Sequence, residues 1–141
     1  MKAKKYICAY FNDLTNFRLK EYCEDNRINN IVEPFHITLM CSVNEIDLPN
    51  IEFSVKPFNV YPEKPDVFGA NNNSLVVRLL QSNDLNGLRD VMLRTGLVDT
   101  FPDFKPHISL TYDYQGKKLT DLRYPTFPIT VTKIKIDDAK N

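Results

Sequence analysis

The sequence predicts an α+β fold: two pseudo-symmetric βαββ lobes whose antiparallel sheets form a central cleft. Three observations carry that prediction. The order strand, helix, strand, strand occurs twice along the chain. Matching features recur at a nearly constant offset, because the opening strands begin at Tyr6 and Leu75 and the histidines stand at 36 and 107, shifts of 69 and 71 residues. Finally, 141 residues with 43% hydrophobic and 26% charged side chains suit one ordinary core, whereas two separately cored domains would each sit near the lower limit of autonomous folding. A repeat of about 70 residues is too long for a solenoid unit and fits two half-domains paired about a pseudo-twofold axis. The expected organisation is a single domain over 1–141, with lobe one at about 1–61, a joint at 62–73 and lobe two at about 74–141.

Tyr6-Ile-Cys-Ala-Tyr-Phe11 is aromatic and β-prone, and the following Asn12-Asp13 suits the end of a strand and the cap of a helix. From Leu14 to about Arg27 the residues favour helix, with Leu19, Tyr22 and Cys23 at i, i+3, i+4 as part of an inward stripe. Phe35 to Cys41 reads as a strand, and Ile51 to Tyr61 as another, in which Pro57 marks an edge or a bulge. Pro62, Pro65, Gly69 and Asn71-Asn72-Asn73 resist both helix and strand and so place the joint. Leu75 to Leu80 is again β-prone. Ser82-Asn83-Asp84 offers caps for a helix carrying Leu85, Leu88, Val91 and Met92 and stopped at Gly96. Pro106 to Tyr112 forms the next strand, and Phe127 to Ile136 alternates like a half-buried terminal strand.

Charge and cysteine usage narrow the partners. Lys plus Arg and Asp plus Glu each total 18, so no sequence-wide basic field exists to hold long DNA or an anionic membrane, and any polyanion partner should be short. Cys8, Cys23 and Cys41 form an odd set without a CxxC pair, which disfavours a disulfide framework and a four-thiolate zinc site; they read as reduced core thiols. No apolar segment approaches the roughly 20 residues of a membrane-spanning helix. The stretch after the basic N-terminus is too short and polar for a signal-peptide core, so cytoplasm is the expected compartment.

The chemistry concentrates in two tetrapeptides, His36-Ile37-Thr38-Leu39 and His107-Ile108-Ser109-Leu110, which contain both histidines of the chain. With nine Thr and five Ser in the sequence, unrelated placement would give both histidines a hydroxyl at i+2 with a probability of about 0.01, before the shared Ile and Leu are counted. On a strand, i and i+2 share a face, so each imidazole stands beside its hydroxyl while Ile and Leu anchor the opposite face in the core. Two such strands facing each other across a cleft suit a phosphodiester. One histidine accepts a proton from an attacking oxygen, the other delivers one to the leaving oxygen, and Thr38 and Ser109 donate to the phosphoryl oxygens.

These paired motifs, about 70 residues apart in a duplicated α+β chain, resemble the two-histidine (2H) phosphoesterase superfamily. Phe35-His-Ile-Thr-Leu-Met40, the stretch Phe101 to Asp113 and the ending Lys135 to Asn141 are most similar to the bacteriophage anti-CBASS branch. The resemblance implies metal-independent cleavage of a 3′,5′ linkage in a cyclic di- or trinucleotide second messenger: an activated 2′-hydroxyl attacks the neighbouring phosphorus and opens the ring. Ser109 departs from the commoner Thr, keeping the donor but losing a methyl. The chain has no Trp, so any base-stacking indole of relatives must be replaced by Tyr or Phe.

Around the motifs, Tyr10 and Phe68 are candidates to stack on bases, with core packing as the competing role. Lys105, Lys117, Lys118 and Arg123 are candidates to attract a second phosphate, with plain solvation as the alternative. A metal site needs a third ligand, and Asp113 stands without an HxH, HExxH or Cys/His cluster, so neither metal nor cofactor is expected. Cys41 lies at an odd separation from His36, which puts it on the core face. Thr38 and Ser109 lack the glycine elbow of a covalent nucleophile. The alternatives are an RNA 2′,3′-cyclic phosphodiesterase acting on short RNA ends, and a non-cleaving nucleotide-binding module.

Overall fold

Alternation at period two decides which way each strand faces, and the burial pattern follows it closely. The computed structural model describes residues 1–69, 72–115 and 118–139. In chain order the elements are β1 (Lys5–Phe11), α1 (Asp13–Asp25), β2 (Ile37–Cys41), β3 (Ile51–Val60), β4 (Pro62–Phe68), β5 (Ser74–Leu79), α2 (Asn83–Arg94), β6 (His107–Thr111) and β7 (Ile129–Asp138), with a short 3-10 turn at Leu119–Asp121. Ile7, Ala9 and Phe11 of β1, Leu75, Val77 and Leu79 of β5, and Ile129, Val131, Ile134 and Ile136 of β7 all enter one core with Leu19, Tyr22 and Cys23 of α1 and Leu85 and Met92 of α2. Both helices therefore cover the same face of the sheet, and burying each of these large side chains contributes about 1.5–3 kcal/mol.

The strands form one antiparallel sheet in the order β3-β7-β1-β2-β6-β5-β4. Its two wings meet at β2 and β6 through a single ladder pair, Ile37 with Ile108. The expected joint is corrected here. Pro62 to Phe68 is strand β4, paired with β5, and its prolines are tolerated because β4 is the edge strand of its wing. The terminal strand β7 also departs from the expected lobe two, because it lies between β1 and β3 in the other wing. Alternation in a sequence reveals a strand but not its neighbour. The repeated unit is thus an outer strand followed by strand, helix, strand, with β7-β1-α1-β2 matching β4-β5-α2-β6. Pro57 lies in β3, an edge strand with a register shift between Ser54 and Phe58.

Capping sets the helix starts. The Asn12 side chain accepts from the Thr15 amide at 2.9 Å, and Ser82 Oγ accepts from the Leu85 amide at 3.2 Å. Gly96 follows α2 at φ +99, a conformation that side-chain-bearing residues rarely adopt. The inward stripe of α2 is corrected in one respect: Leu85, Arg89 and Met92 are buried, whereas Val91 is 51% exposed. Positions 85, 89 and 92 fall within about 60° of one another on the helix wheel, and 91 lies well off that stripe.

Candidate active site

The two motifs obey alternation as far as their hydroxyls, and then both break it at the same place. Between β1 and β2, Cys8 pairs with Thr38 but Ile7 pairs with Met40, so Leu39 is an extra residue. Between β5 and β6, Val76 pairs with Ser109 but Leu75 pairs with Thr111, so Leu110 is the matching extra residue. Each motif carries a β-bulge at its leucine. Ile37 and Ile108 are fully buried in the core, which turns His36, Thr38, His107 and Ser109 to the opposite face. Counting outward from the antiparallel pair of Ile37 and Ile108 sets His36 across from Ser109 and Thr38 across from His107. Four side chains thus ring a local two-fold axis.

The bulge also corrects the expectation for Cys41. Because Leu39 is skipped, Cys41 pairs with Tyr6 and lines the cleft, where unbroken alternation would have sent it to the core. Cys8 and Cys23 are buried free thiols. Burial raises the Cys8 thiol to about 11, which keeps it protonated.

Each imidazole is oriented by the same backbone device. His36 Nδ1 donates to the Pro34 carbonyl at 2.9 Å, and His107 Nδ1 donates to the Lys105 carbonyl at 2.8 Å. A carbonyl can only accept, so the proton sits on Nδ1 and Nε2 is left for chemistry. His36 Nε2 lies 3.2 Å from the Tyr6 hydroxyl, which is also 2.9 Å from Thr38 Oγ1. Sequence reasoning passed over Tyr6; the signal was the alternation of Tyr6, Cys8 and Tyr10 on one strand face. Burial pushes the Tyr6 phenol well above its ordinary range, so it remains a neutral hydroxyl.

The Tyr10 ring lies 5.8 Å from that of His36, and the Phe68 ring packs edge-on at 4.8 Å from that of His107. Arg78, also passed over, pairs across the ladder with His107 and reaches Asp66 at 3.5 Å. Burial holds His107 below the ordinary histidine value of 6.5, with the nearby His36 and Arg78 adding to the effect and the Lys105 carbonyl opposing it. The Lys105 side chain lines the cleft and approaches Asp103 at 4.0 Å. Lys118 is exposed, and the exposed Arg123 is tied to α1 through its backbone, its amide donating to Asn26 Oδ1 and its carbonyl accepting from Tyr22. Neither lines the cleft. Lys117 lies outside the described residues.

The cleft has a volume of about 630 Å³ and is lined by Tyr6, Thr38, His107 and Ser109 together with Phe68, Phe101 and Phe104; His36 is not among its lining residues and is linked to it through Tyr6. A second hollow of about 400 Å³ adjoins it, sharing Tyr6 and Cys41 and adding Cys8, Tyr10, Lys135 and Asp137. Both fall in the size range of small-molecule sites. Among the described residues, no group of three or more His, Cys, Asp or Glu side chains is arranged to hold a metal ion.

The profile of one protein family, described as "Anti-CBASS protein Acb1", matches residues 3–140. The chain belongs to the Acb1 family. An Anti-CBASS protein Acb1 from Escherichia phage RB16 is 29% identical over 136 residues, covering 94% of this chain and 77% of the relative. Among solved structures, E. coli LigT complexed with 3′-AMP superposes with a TM-score of 0.63 at 12% identity, covering 100% of this chain and 90% of LigT. LigT complexed with phosphate gives 0.60 at 11% identity, covering 99% and 88%. That likeness concerns the fold, which is the seven-stranded α+β architecture of 2H phosphoesterases. This Acb1-family chain is a 2H-type phosphodiesterase that counters CBASS. Among its described residues, no helix is long and apolar enough to cross a membrane.

Proposed function

We propose that this phosphodiesterase opens cyclic di- or trinucleotides at a 3′,5′ linkage by two-histidine acid–base catalysis. The observation that carries the reading is the ring of His36, Thr38, His107 and Ser109 about the Ile37–Ile108 pair, with both Nδ1 atoms bonded to the carbonyl two residues upstream. His107, kept neutral by its burial, takes the proton of the ribose 2′-hydroxyl. The 2′-oxygen bonds to phosphorus, the bond from phosphorus to the 5′-oxygen breaks, and His36, entering the step as the imidazolium with a proton on each ring nitrogen, gives its Nε2 proton to that oxygen. The product is a linear nucleotide ending in a 2′,3′-cyclic phosphate. Thr38 and Ser109 donate to the non-bridging oxygens as charge builds there. Tyr6 holds His36 and Thr38 in register with each other.

The test is incubation with 3′,3′-cyclic GMP-AMP in excess EDTA, with products separated by chromatography. Linear product is expected. His36→Ala and His107→Ala should each lose at least 10²-fold in kcat, the usual contribution of a positioned acid or base. Undiminished turnover in both variants would remove the assigned roles, and loss of turnover in EDTA would point to a metal. Faster hydrolysis of an RNA ending in a 2′,3′-cyclic phosphate would favour RNA end processing. Tight binding with the ligand recovered intact would indicate a sequestering module.

A further inference from the structure

Arg89 has no evident business in a hydrophobic stripe. It stands on α2 between Leu85 and Met92 at 6% exposure. Its guanidinium donates to the Leu39 carbonyl at 2.6 Å, bonds the Asp99 carboxylate, and lies 4.3 Å over the Phe104 ring. The Asp99 side chain is itself 5% exposed, and its other oxygen accepts from the amides of Phe101 at 3.1 Å and Cys41 at 3.4 Å. Replacing a buried ion pair with apolar residues of similar volume often costs nothing in stability. Apolar residues at both 89 and 99 would serve the core as well, so the pair answers to a need for placement.

That need is visible in the sheet. The wing bearing His36 and the wing bearing His107 share one ladder pair, too little to fix how far apart the two motifs stand. Two loops join them beyond that pair: the α1–β2 loop, where Ile31 bridges to Thr111 and the Val32 amide donates to the Leu110 carbonyl, and the loop between α2 and β6. Val98, Asp99 and Thr100 bridge to Val43, Ser42 and Cys41 beside the end of β2, and the same loop continues through Phe104 to Lys105, whose carbonyl orients His107. Arg89 grips this connection at three points: the leucine of the first motif, the loop's buried carboxylate, and the aromatic ring just ahead of Lys105. We propose that Arg89 is a positioning residue, a clasp that sets the separation and aim of the two catalytic imidazoles across the pinched sheet. The planar guanidinium donates to both oxygens, of Leu39 and Asp99, through Nη1 while its face stacks on Phe104; a lysine ammonium has no planar face and would lose that stacking.

The inference rests on the proposed roles of His36 and His107, and its test separates the two. Arg89→Lys and Arg89→Met are compared with Leu85→Val, which loosens the packing of α2 without touching the loop, at a temperature where circular dichroism shows each variant folded. Two quantities are read: kcat on the cyclic dinucleotide, and the ¹⁵N shifts of the His107 ring nitrogens, which report its tautomer. Both Arg89 variants should lose at least about tenfold in kcat, as a misplaced catalytic group does. Both should also convert His107 from a single Nδ1–H tautomer to a mixture. Leu85→Val should lower Tm while keeping kcat within twofold and the tautomer unchanged. A folded Arg89→Lys with the tautomer of the parent, or a loss of kcat that merely tracks Tm as in Leu85→Val, overturns the clasp. Arg89→Lys alone decides if Arg89→Met does not fold. Should the histidine roles fail instead, the histidine variants would stay active while the ¹⁵N signature still judges Arg89.

Discussion

Replacing Tyr6 with Phe deletes one oxygen and leaves the ring in place. That oxygen is 3.2 Å from His36 Nε2 and 2.9 Å from Thr38 Oγ1, so two contacts go with it. In the resting protein both are neutral bonds at the floor of an open cleft, where water can substitute, so the folding cost should stay near 1 kcal/mol. For a 141-residue domain that corresponds to a fall in Tm of about 3–5 °C. In its proposed role as the acid His36 is charged until it hands over its proton, and a hydrogen bond to a charged partner is worth about 1.5–3 kcal/mol. At 1.36 kcal/mol per decade, kcat should fall roughly 10- to 150-fold. The assay is steady-state hydrolysis of a cyclic dinucleotide beside a thermal melt of the same preparation. A variant within threefold of the parent in kcat, or one whose loss is matched by an equally large collapse in stability, would refute the argument that Tyr6 acts on His36.

If His107 is the base, the acid limb of kcat/KM should have its midpoint below 6.5, because burial first, and His36 and Arg78 after it, disfavour the imidazolium. Arg78→Gln removes one of those causes and should move the limb upward; a limb at or above 6.5 in the parent would contradict the assignment. The same depressed value makes the unfolded chain bind the proton more readily. The stability associated with neutral His107 is therefore fully present above 6.5 and lost as the pH falls through the folded value, which urea midpoints across that window will show. Gly96→Ala leaves room for a methyl, with Ile46 Cδ1 at 3.6 Å, but imposes a side chain on φ +99. It should cost about 1–2 kcal/mol through the backbone, and an unchanged urea midpoint would refute this.

Much of the fold was legible because it is written in short-range patterns. The cap residues Asn12 and Ser82, the stop at Gly96, the β-prone runs of β1 and β5 and the alternation in β7 are local signals, and each of these elements appears within a few residues of where those signals put it. The misread segments share one feature, a dependence on a partner. Pro62 to Phe68 resists strand formation by composition, yet it pairs along β5 because an edge strand needs amides on one side only. Arg89 stands where sequence offers Leu88 and Val91, since only packing reveals that a guanidinium can be satisfied by Leu39 and Asp99.

By itself the sequence determined the proposed catalytic vocabulary: two histidines, each with a hydroxyl at the same offset, on strands whose isoleucines had to face a core. A period of two is a property of one strand and needs no neighbour. Tertiary structure decided which strands lie side by side, that a bulge at Leu39 and Leu110 returns Cys41 to the cleft, and that Tyr6 meets His36. Those relations join residues 30 or more positions apart in the chain, and such meetings are set by the packing of the whole sheet rather than by any local run of residues.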